Sequence, residues 1–288
     1  MVQLNESLIK MLALCDLKKS HGVINLHRVN TENCGDLYSA PYRYFERISR
    51  FPNYDILDII NGGVVDTFLW GINHLSDSII VGGGGLLERK SFRKSMEVLR
   101  FLAKKGKKVV LWGVGHNNPY GFINGSLYEQ IDAYKVVGIR DYGIKGVDWV
   151  PCSSCMHNIF DRNYDRIHEF GIVEHERIPI PCAGHCSGFL KIKNSSRFEE
   201  LINFIGSIDC LITNSYHAMY WGMLLRRKVV VFPNSSKMYS FKYKPSICCD
   251  MDKYKEAVRS ACVYDGLLDE CRMANIRFSD KVYDYIRI

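Results

Sequence analysis

Residues 209–233 read Asp209-Cys-Leu-Ile-Thr213-Asn-Ser-Tyr-His217-Ala-Met-Tyr-Trp221-Gly-Met-Leu-Leu-Arg226-Arg-Lys-Val229-Val-Val-Phe-Pro233. Apolar and β-branched residues at 210–213 and again at 229–232 predict two short buried strands. The apolar segment 216–226 between them predicts a buried helix, with Asn214 and Ser215 as capping side chains at its start. Because the crossover is a single helix with short turns, the two strands are expected to be parallel and joined in a right-handed βαβ unit.

This βαβ unit gives His217 a defined position. The residue falls in the first turn of the helix, at the carboxyl end of a parallel strand, where free N–H groups and the helix dipole favour an anionic ligand. The alternative is a histidine that only hydrogen-bonds its own helix end, and position alone does not decide between the two.

Composition limits the class of protein. The chain has 288 residues, 47% of them hydrophobic, which suits two domains of ordinary size or one large one, with substantial cores. The net charge of +7 favours an anionic substrate or a negatively charged membrane surface, although solubility alone also explains it. No zinc-finger spacing, RNP-type motif or strongly basic arm predicts a nucleic-acid partner. No segment reaches the ~20 apolar residues of a membrane span, and the N-terminus has no signal-peptide core, so we expect a cytoplasmic protein.

Apolar segments alternate with helical patterns along the chain, which predicts an α/β fold with parallel sheets. One clear helix covers 92–105 and ends at Gly106. A second series begins near Ile178 and includes a helix at 197–205, the βαβ unit, and helical segments from Asp252 onward. We therefore predict two Rossmann-like domains, 1–165 and 166–288, with the polar stretch 160–176 as their junction. The strands predicted in the first domain are 23–26, 54–60, 78–81, 108–112, 136–139 and 147–150.

Three further loops follow predicted strands, where an open parallel sheet binds its ligands. In the loop 30–36, Asp36 is predicted either as a base or as a helix cap. The glycines of 82–85 let a backbone approach a ligand or another domain closely, but they match neither a dinucleotide fingerprint nor a P-loop. The loop 112–117 is followed one strand later by Arg140, which either binds a carboxylate or phosphate or pairs with Asp141.

Eleven cysteines raise the question of metal or redox chemistry. The chain is long, has no signal sequence and has an odd number of cysteines, so reduced thiols are expected. Cys152 and Cys155, near His157, together with Cys182, His185 and Cys186 could form a structural zinc site or a redox pair. The alternative is ordinary buried or loop thiols, and our prediction is that no metal is bound. A zinc deaminase is excluded, because no histidine is followed two residues later by glutamate.

Several of these segments, in this order, carry a family resemblance. They are Asn33-x-Gly35-Asp36, Ile79-Ile-Val-Gly-Gly-Gly-Gly-Leu-Leu87, Gly113-Val-Gly115, Ile139-Arg-Asp141 and Thr213-Asn-Ser-Tyr-His-Ala218, with a later Lys237. Together they resemble the polysaccharide pyruvyl transferase family, over about residues 24 to 240 of the chain. One departure is that many members have Arg-Leu-His where this chain has Ser215-Tyr216-His217, which is closer to the Ser-Phe-His version. The donor and acceptor could therefore differ from the usual ones.

The resemblance implies a glycosyltransferase-B-like arrangement with the active site in the cleft between the domains. It also implies transfer of a pyruvyl group from phosphoenolpyruvate to a hexose of a bacterial surface polysaccharide precursor, usually as a cyclic ketal. Phosphoenolpyruvate is then the donor substrate, and no cofactor or metal is expected. Whether the acceptor is lipid-linked, and whether the protein contacts the inner face of the membrane, stays open.

The chemistry of such a transfer agrees with the residues present. A carboxylate and a phosphate require cations and N–H donors, and proton transfer requires an acid and a base. We predict His217 as the acid, with an unperturbed pKa near 6.5, Asp36 as the base and Arg140 as a catalytic anion contact. The predicted substrate-binding residues are Asn33, Gly35, Gly83, Gly84, Gly85, His116, Asn117, Ser215 and Lys237. The alternatives are a glycosyltransferase that uses a nucleotide-sugar donor and a non-catalytic glycan- or nucleotide-binding module.

Overall fold

The computed structural model describes residues 2–15, 22–74, 77–118, 131–180 and 188–288. In these ranges the chain forms two sheets in which every neighbouring pair of strands is parallel. The strands are β1 (Val23–His27), β2 (Asn53–Asp55), β3 (Ser78–Gly82), β4 (Val109–Val114), β5 (Val136–Ile139), β6 (Asp148–Trp149), β7 (His168–Glu174), β8 (Leu190–Lys193), β9 (Ile208–Thr213), β10 (Lys228–Val231) and β11 (Ser246–Ile247). Their order is β2-β1-β3-β4-β5-β6 in the first sheet and β11-β10-β9-β7-β8 in the second. The predicted α/β fold with two parallel sheets is confirmed.

Helices connect most of these strands. The α-helices are α1 (Val2–Cys15), α2 (Cys34–Tyr38), α3 (Glu46–Ser49), α4 (Asp58–Asn61), α5 (Val64–His74), α6 (Arg93–Lys104), α7 (Phe198–Gly206), α8 (Tyr216–Leu224), α9 (Tyr254–Ser260) and α10 (Leu267–Ile286). Short 3₁₀ helices are Pro41–Arg43, Ser153–Met156, Asn158–Asp161, Ser236–Met238 and Met251–Lys253. Among the described residues, no helix combines the length and apolarity needed to cross a membrane.

The βαβ unit at 208–231 has the predicted form. Strands β9 and β10 are parallel neighbours, and all nine residues of α8 between them are buried. The predicted caps are wrong in detail. Ser215 occupies the N-cap position but makes no side-chain capping bond, whereas Asn214 accepts from His175 N at 2.7 Å and donates to Ile178 O at 2.7 Å. Asn214 therefore ties the helix start to the loop after β7.

Helix α8 is also shorter than predicted. It ends at Leu224 because Arg226 has a φ of +57°, which turns the chain out of the helix. The N–H of Arg227 then donates to Gly222 O at 2.9 Å, which satisfies one of the last carbonyls of the helix.

The strand predicted at 54–60 is wrong after residue 55. Strand β2 ends at Asp55, whose carboxylate accepts from the backbone N–H groups of Val29, Asn30 and Leu57 at 2.8–2.9 Å. These bonds take the place of a continued ladder, and the apolar residues that follow form helix α4 instead. The strand predicted at 147–150 is shorter than expected, at Asp148–Trp149.

The polar stretch predicted as a junction contains a strand. Strand β7 starts at His168 and lies inside the second sheet, between β9 and β8. Its first two residues are exposed and only its centre, Gly171–Val173, is buried, which explains why the composition of 160–176 looked like a linker. The second sheet therefore begins about ten residues before Ile178, with β7 at His168–Glu174.

The C-terminal helix α10 contacts both cores. Its first half contributes Leu267 and Cys271 to the core on the second sheet, and its second half contributes Phe278 and Val282 to the core on the first. Phe278 lies with its ring centroid 5.4 Å from that of Trp112, edge to face. Helix α10 therefore links the two halves of the molecule, which are the part built on the first sheet (β1 to β6) and the part built on the second (β7 to β11). Its position at the end of the chain did not predict this role.

We expect Phe278→Ala to lower the free energy of unfolding by about 3–5 kcal/mol, because it leaves a cavity against the first sheet. Urea denaturation of the purified protein measures this loss. Met273→Ala, on the exposed face of the same helix at 45% exposure, is the matched control and should change stability little. Equal effects of the two substitutions would contradict the packing of α10 against the first sheet.

Candidate functional site

A cavity of about 140 Å³ lies where the carboxyl ends of the two sheets meet. Its lining comes from loops that follow strands of both sheets, with Arg28 after β1, Arg140 after β5, His217 after β9 and Lys237 after β10. A larger cavity of about 610 Å³ adjoins it and shares several of its lining residues. Such an edge-to-edge arrangement is a common place for ligand binding in open parallel sheets.

The structure brings most of the predicted site residues together. Those that line the inner cavity are Asn33, Asp36, Gly85, Asn117, Arg140, Ser215, His217 and Lys237. Gly35, Gly83, Gly84 and His116 are not among the lining residues. Gly35 and Gly83 pack closely against neighbouring loops, and His116 is fully buried.

Gly35 and Gly83 allow close contacts between loops. A Cβ on Gly35 would lie 2.0 Å from Nδ1 of His217, so only glycine lets the start of α2 approach that ring. A Cβ on Gly83 would lie 2.1 Å from Ser39 O, and Gly83 has a φ of +55°. The glycine loop thus packs against the segment after β1, and Gly85 is the member that reaches the cavity.

Arg140 is the most unusual residue of the site. Its side chain is only 1% exposed, yet none of its three guanidinium nitrogens has a hydrogen-bond partner in the part of the chain that the structure describes. Its guanidinium carbon lies 3.9 Å from the ring centroid of Tyr216, an arrangement that gives a cation–π contact across the two halves of the molecule. A buried charge is costly unless paired, so this geometry suits a ligand that brings the missing negative charge.

The predicted alternative for Arg140, an ion pair with Asp141, is not what the structure has. Asp141 accepts from His116 N at 2.8 Å and from Ser240 Oγ at 3.0 Å. Its carboxylate therefore stabilises the loop after β4 and the segment near Lys237, and leaves Arg140 available.

Asp36 is not a helix cap. The side chain of Asn33 caps α2, with Oδ1 accepting from Gly35 N at 3.1 Å. Asp36 instead faces the cavity, where burial raises the pKa of its carboxyl although the charges of Lys237 and Arg140 act in the opposite direction. A carboxylate with a raised pKa is a stronger base than an exposed one.

The two basic groups opposite Asp36 have lowered pKa values. Burial, helped by the charge of Arg140, lowers the pKa of Lys237 to about 8. Burial, with the charges of Arg140 and Lys237, lowers the pKa of His217 well below its usual value of 6.5. His217 is therefore neutral near pH 7 in this structure. Its Nε2 makes no hydrogen bond within the described residues.

Several lining residues were not predicted from the sequence. They are Arg28, Leu86, Arg89, Ser91, Phe92, His175, Asn194 and Tyr216. His175 and Asn194 follow strands β7 and β8, which the sequence analysis did not recognise as strands, so their loops had no predicted place at the sheet edge. Tyr216 lies next to His217 in sequence and belongs to the family motif, but the sequence analysis gave it no role in the site.

The cysteine pair Cys152 and Cys155 is buried, and neither thiol is in a disulfide. Burial raises the pKa of both, that of Cys155 to about 12, which opposes thiolate chemistry. Asn275 donates to Cys155 Sγ at 3.6 Å. The other proposed ligands, Cys182, His185 and Cys186, lie outside the described residues.

We expect Arg140→Met to abolish the binding of a small phosphate monoester while raising the free energy of unfolding by about 1–2 kcal/mol, because it removes a buried unpaired charge and keeps the apolar stem. Isothermal titration calorimetry and urea denaturation on the same preparation measure both effects.

The matched control is Arg162→Met, since Arg162 is paired with Glu199 at 2.9 Å on the surface and both side chains are more than half exposed. This change should leave binding intact and alter stability by less than about 1 kcal/mol. Destabilisation by Arg140→Met with normal binding would mean that Arg140 is structural.

The pKa of Lys237 gives a pH dependence. Its protonated form attracts an anion, and a bound anion raises its pKa, so binding is strongest below about pH 8 and weakens as the pH rises above that value. A phosphate monoester used as the ligand is fully ionised there, since its second pKa is about 6. We expect the dissociation constant to rise up to about tenfold per pH unit, as measured by calorimetry between pH 7 and 10, and Lys237→Met should remove this dependence. A dissociation constant that stays flat above pH 8 would contradict the role of Lys237.

No family model matches the chain, and no curated protein matches it. Among solved structures, the chain is similar to a functional uncharacterized protein from Klebsiella pneumoniae subsp. pneumoniae NTUH-K2044, at 18% identity and a TM-score of 0.45. The similarity covers 80% of this chain and 87% of that one. A likeness of this size carries no argument about function.

Proposed function

We propose that this protein is an enzyme that transfers a pyruvyl group from phosphoenolpyruvate to a hexose of a bacterial surface polysaccharide precursor, with formation of a pyruvate ketal. The observation that carries the proposal is the buried, unpaired guanidinium of Arg140 in a cavity that also holds Lys237, His217 and Asp36. The reaction is proposed from the five sequence segments that resemble pyruvyl transferases. The side chains that line the cavity are of the types that this reaction needs. We propose a glycosyltransferase-B-like arrangement of the two halves on the same resemblance.

The inner cavity suits a small polyanion. Arg140 and Lys237 supply cationic donors, and Arg28 and Arg89 add two further positive charges to the lining. Asp36 is the one acidic side chain among the described residues that line it. Phosphoenolpyruvate carries a carboxylate and a phosphate, so it provides the negative charge that Arg140 lacks in the free protein.

The outer cavity suits the sugar acceptor. It shares Asn33, Asp36 and His175 with the inner one, so a sugar held there could present a hydroxyl to the donor. Its lining adds the uncharged polar side chains of Asn30, Thr31 and Ser195 and the charged ones of Glu32, Glu176 and Arg177, all of which can hydrogen-bond sugar hydroxyls. Donor and acceptor would then meet beside Asp36.

Two hydroxyl groups of the acceptor react in turn. The first forms a bond to C2 of phosphoenolpyruvate as the methylene carbon C3 takes up a proton and becomes a methyl group. The second hydroxyl then displaces phosphate from C2, which closes the ketal, and its proton leaves with the phosphate or with a base. The overall products are the ketal and inorganic phosphate.

His217 and Asp36 are the groups that would move these protons. The raised pKa of Asp36 makes its carboxylate a stronger base, and the lowered pKa of His217 leaves its imidazole neutral before the donor binds. A bound trianion raises the pKa of His217, so the imidazole would gain its proton when the donor binds. His217 then protonates C3, and Asp36 accepts the proton of the attacking hydroxyl.

The decisive experiment incubates the protein with phosphoenolpyruvate and a panel of hexosides, and follows phosphate release and the product mass. We expect a product with the mass of a pyruvate ketal. Consumption of a nucleotide sugar from a parallel panel, without use of phosphoenolpyruvate, would instead support a glycosyltransferase. Binding without turnover of either donor would support a non-catalytic module.

We expect His217→Asn and Asp36→Asn each to lower kcat by about 10²–10⁴-fold, because each removes a proton-transfer group, while both proteins stay folded. Steady-state phosphate release and thermal unfolding check this on the same samples. His168→Asn changes an exposed histidine on β7 and serves as the control with normal activity. Near-normal turnover by a well-folded His217→Asn protein would remove His217 from the mechanism.

A further inference from the structure

A second polar cluster lies directly behind the cavity, between the two halves of the molecule. His116, after β4, is fully buried, and its Nδ1 lies 2.6 Å from Oγ of Ser236. Its Nε2 lies 3.6 Å from Asp141 Oδ1. His116 was predicted to bind substrate, but it does not line the inner cavity. Its contacts connect the first sheet to the 3₁₀ helix Ser236–Met238, which carries Lys237.

The direction of these hydrogen bonds follows from the partners. Ser236 Oγ accepts from the N–H of Asn118 at 2.9 Å, which leaves its own proton free to be donated to His116 Nδ1. The imidazole then carries its proton on Nε2, facing a carboxylate that can only accept. Burial lowers the pKa of His116, which favours this neutral form, although Asp141 acts in the opposite direction.

Further bonds hold the same segment. The N–H of Ser236 donates to Asn118 O at 2.9 Å, and Ser240 Oγ donates to Asp141 Oδ1 at 3.0 Å. The N–H of Tyr142 donates to Ser240 O at 2.8 Å. The residues on either side of Lys237 are thus anchored to loops of the first sheet, on the same side as Arg140.

We propose that His116, Ser236 and Asp141 form a buried clamp that positions Lys237 against Arg140, so that Lys237 contacts the anion and His116 does not. The clamp rests on the proposed function in one respect, since the clamp and the proposed reaction both require an anion that binds in the inner cavity. The clamp is not a catalytic triad of a hydrolase, since Ser236 is 1% exposed and its hydroxyl is turned away from solvent.

The clamp explains why a lysine stays beside an arginine. Without it, Lys237 could move away from the positive charge of Arg140 and into water. The charged groups that face Lys237 are Arg140, Asp36 and Arg89, and of these only Asp36 favours its protonated form. The bonds of Ser236 therefore hold Lys237 close to Arg140 despite their repulsion. An anion bound beside both cations would reduce that repulsion.

The test measures phosphoenolpyruvate binding by calorimetry from pH 7 to 10 for the wild-type protein and for Ser236→Ala. A merely structural serine would lower the melting temperature and leave binding unchanged. A clamp predicts an affinity about tenfold weaker at pH 7. It also predicts that the pH above which affinity falls moves upward from about 8, since Lys237 is released from Arg140.

Two further variants complete the experiment. Ser246→Ala removes a hydroxyl that bonds Ser260 at 2.8 Å within the second half, and it should behave as wild type. Ser240→Ala breaks the parallel bond to Asp141, and it supplies the measurement if Ser236→Ala is unfolded at the assay temperature.

The outcomes separate the two proposals. Wild-type affinity and pH profile in both clamp variants would overturn the clamp alone. A wild-type protein that binds neither phosphoenolpyruvate nor inorganic phosphate would overturn the anion cavity and, with it, the clamp. Normal binding and a normal clamp response, with no ketal formed from any hexoside, would count against the proposed reaction only.

Discussion

The site depends on one unfavourable charge. Arg140 is buried with no carboxylate and no hydrogen-bond acceptor among the described residues, and its main compensation there is the face of Tyr216. Leaving a guanidinium in this state costs free energy that the rest of the structure must offset through packing. A ligand with a carboxylate or phosphate removes that cost on binding, so the same feature that weakens the free protein strengthens the complex.

The same charge governs the protonation of its neighbours. Arg140 helps to lower the pKa of both Lys237 and His217, and it opposes the rise in the pKa of Asp36. As a result, the pKa of Lys237 is lowered to about 8, close to neutral pH, and the pKa of His217 is lowered well below its usual value, so its imidazole is neutral. An incoming anion reverses this balance, and anion binding and proton uptake become coupled.

Such a site requires two halves held in a fixed relation. Arg140 belongs to the first sheet, whereas Tyr216, His217 and Lys237 belong to the second half of the chain. Helix α10 contacts both cores, and the bonds of Ser236 and Ser240 cross the junction close to the cavity. Side-chain packing on one side and buried hydrogen bonds on the other thus oppose any separation of Arg140 from Lys237.

Local sequence signals were sufficient to predict many of the strands, helices and loops. Continuous apolar segments predicted the parallel strands, and the βαβ unit around His217 came from adjacent residues. Polar residues after strands predicted Asp36 and Arg140 near one edge, whereas Lys237 was identified only through the family resemblance. Strand β7 was missed because its ends are polar and only its centre is buried in the sheet. The tertiary structure alone decided that Arg140 has no partner, that His116 bonds Ser236 across 120 residues of chain, and that α10 returns to the first sheet. Burial and pairing depend on residues far apart in the chain, so the pKa values of His217 and Lys237, which follow from them, have no signature in the local sequence.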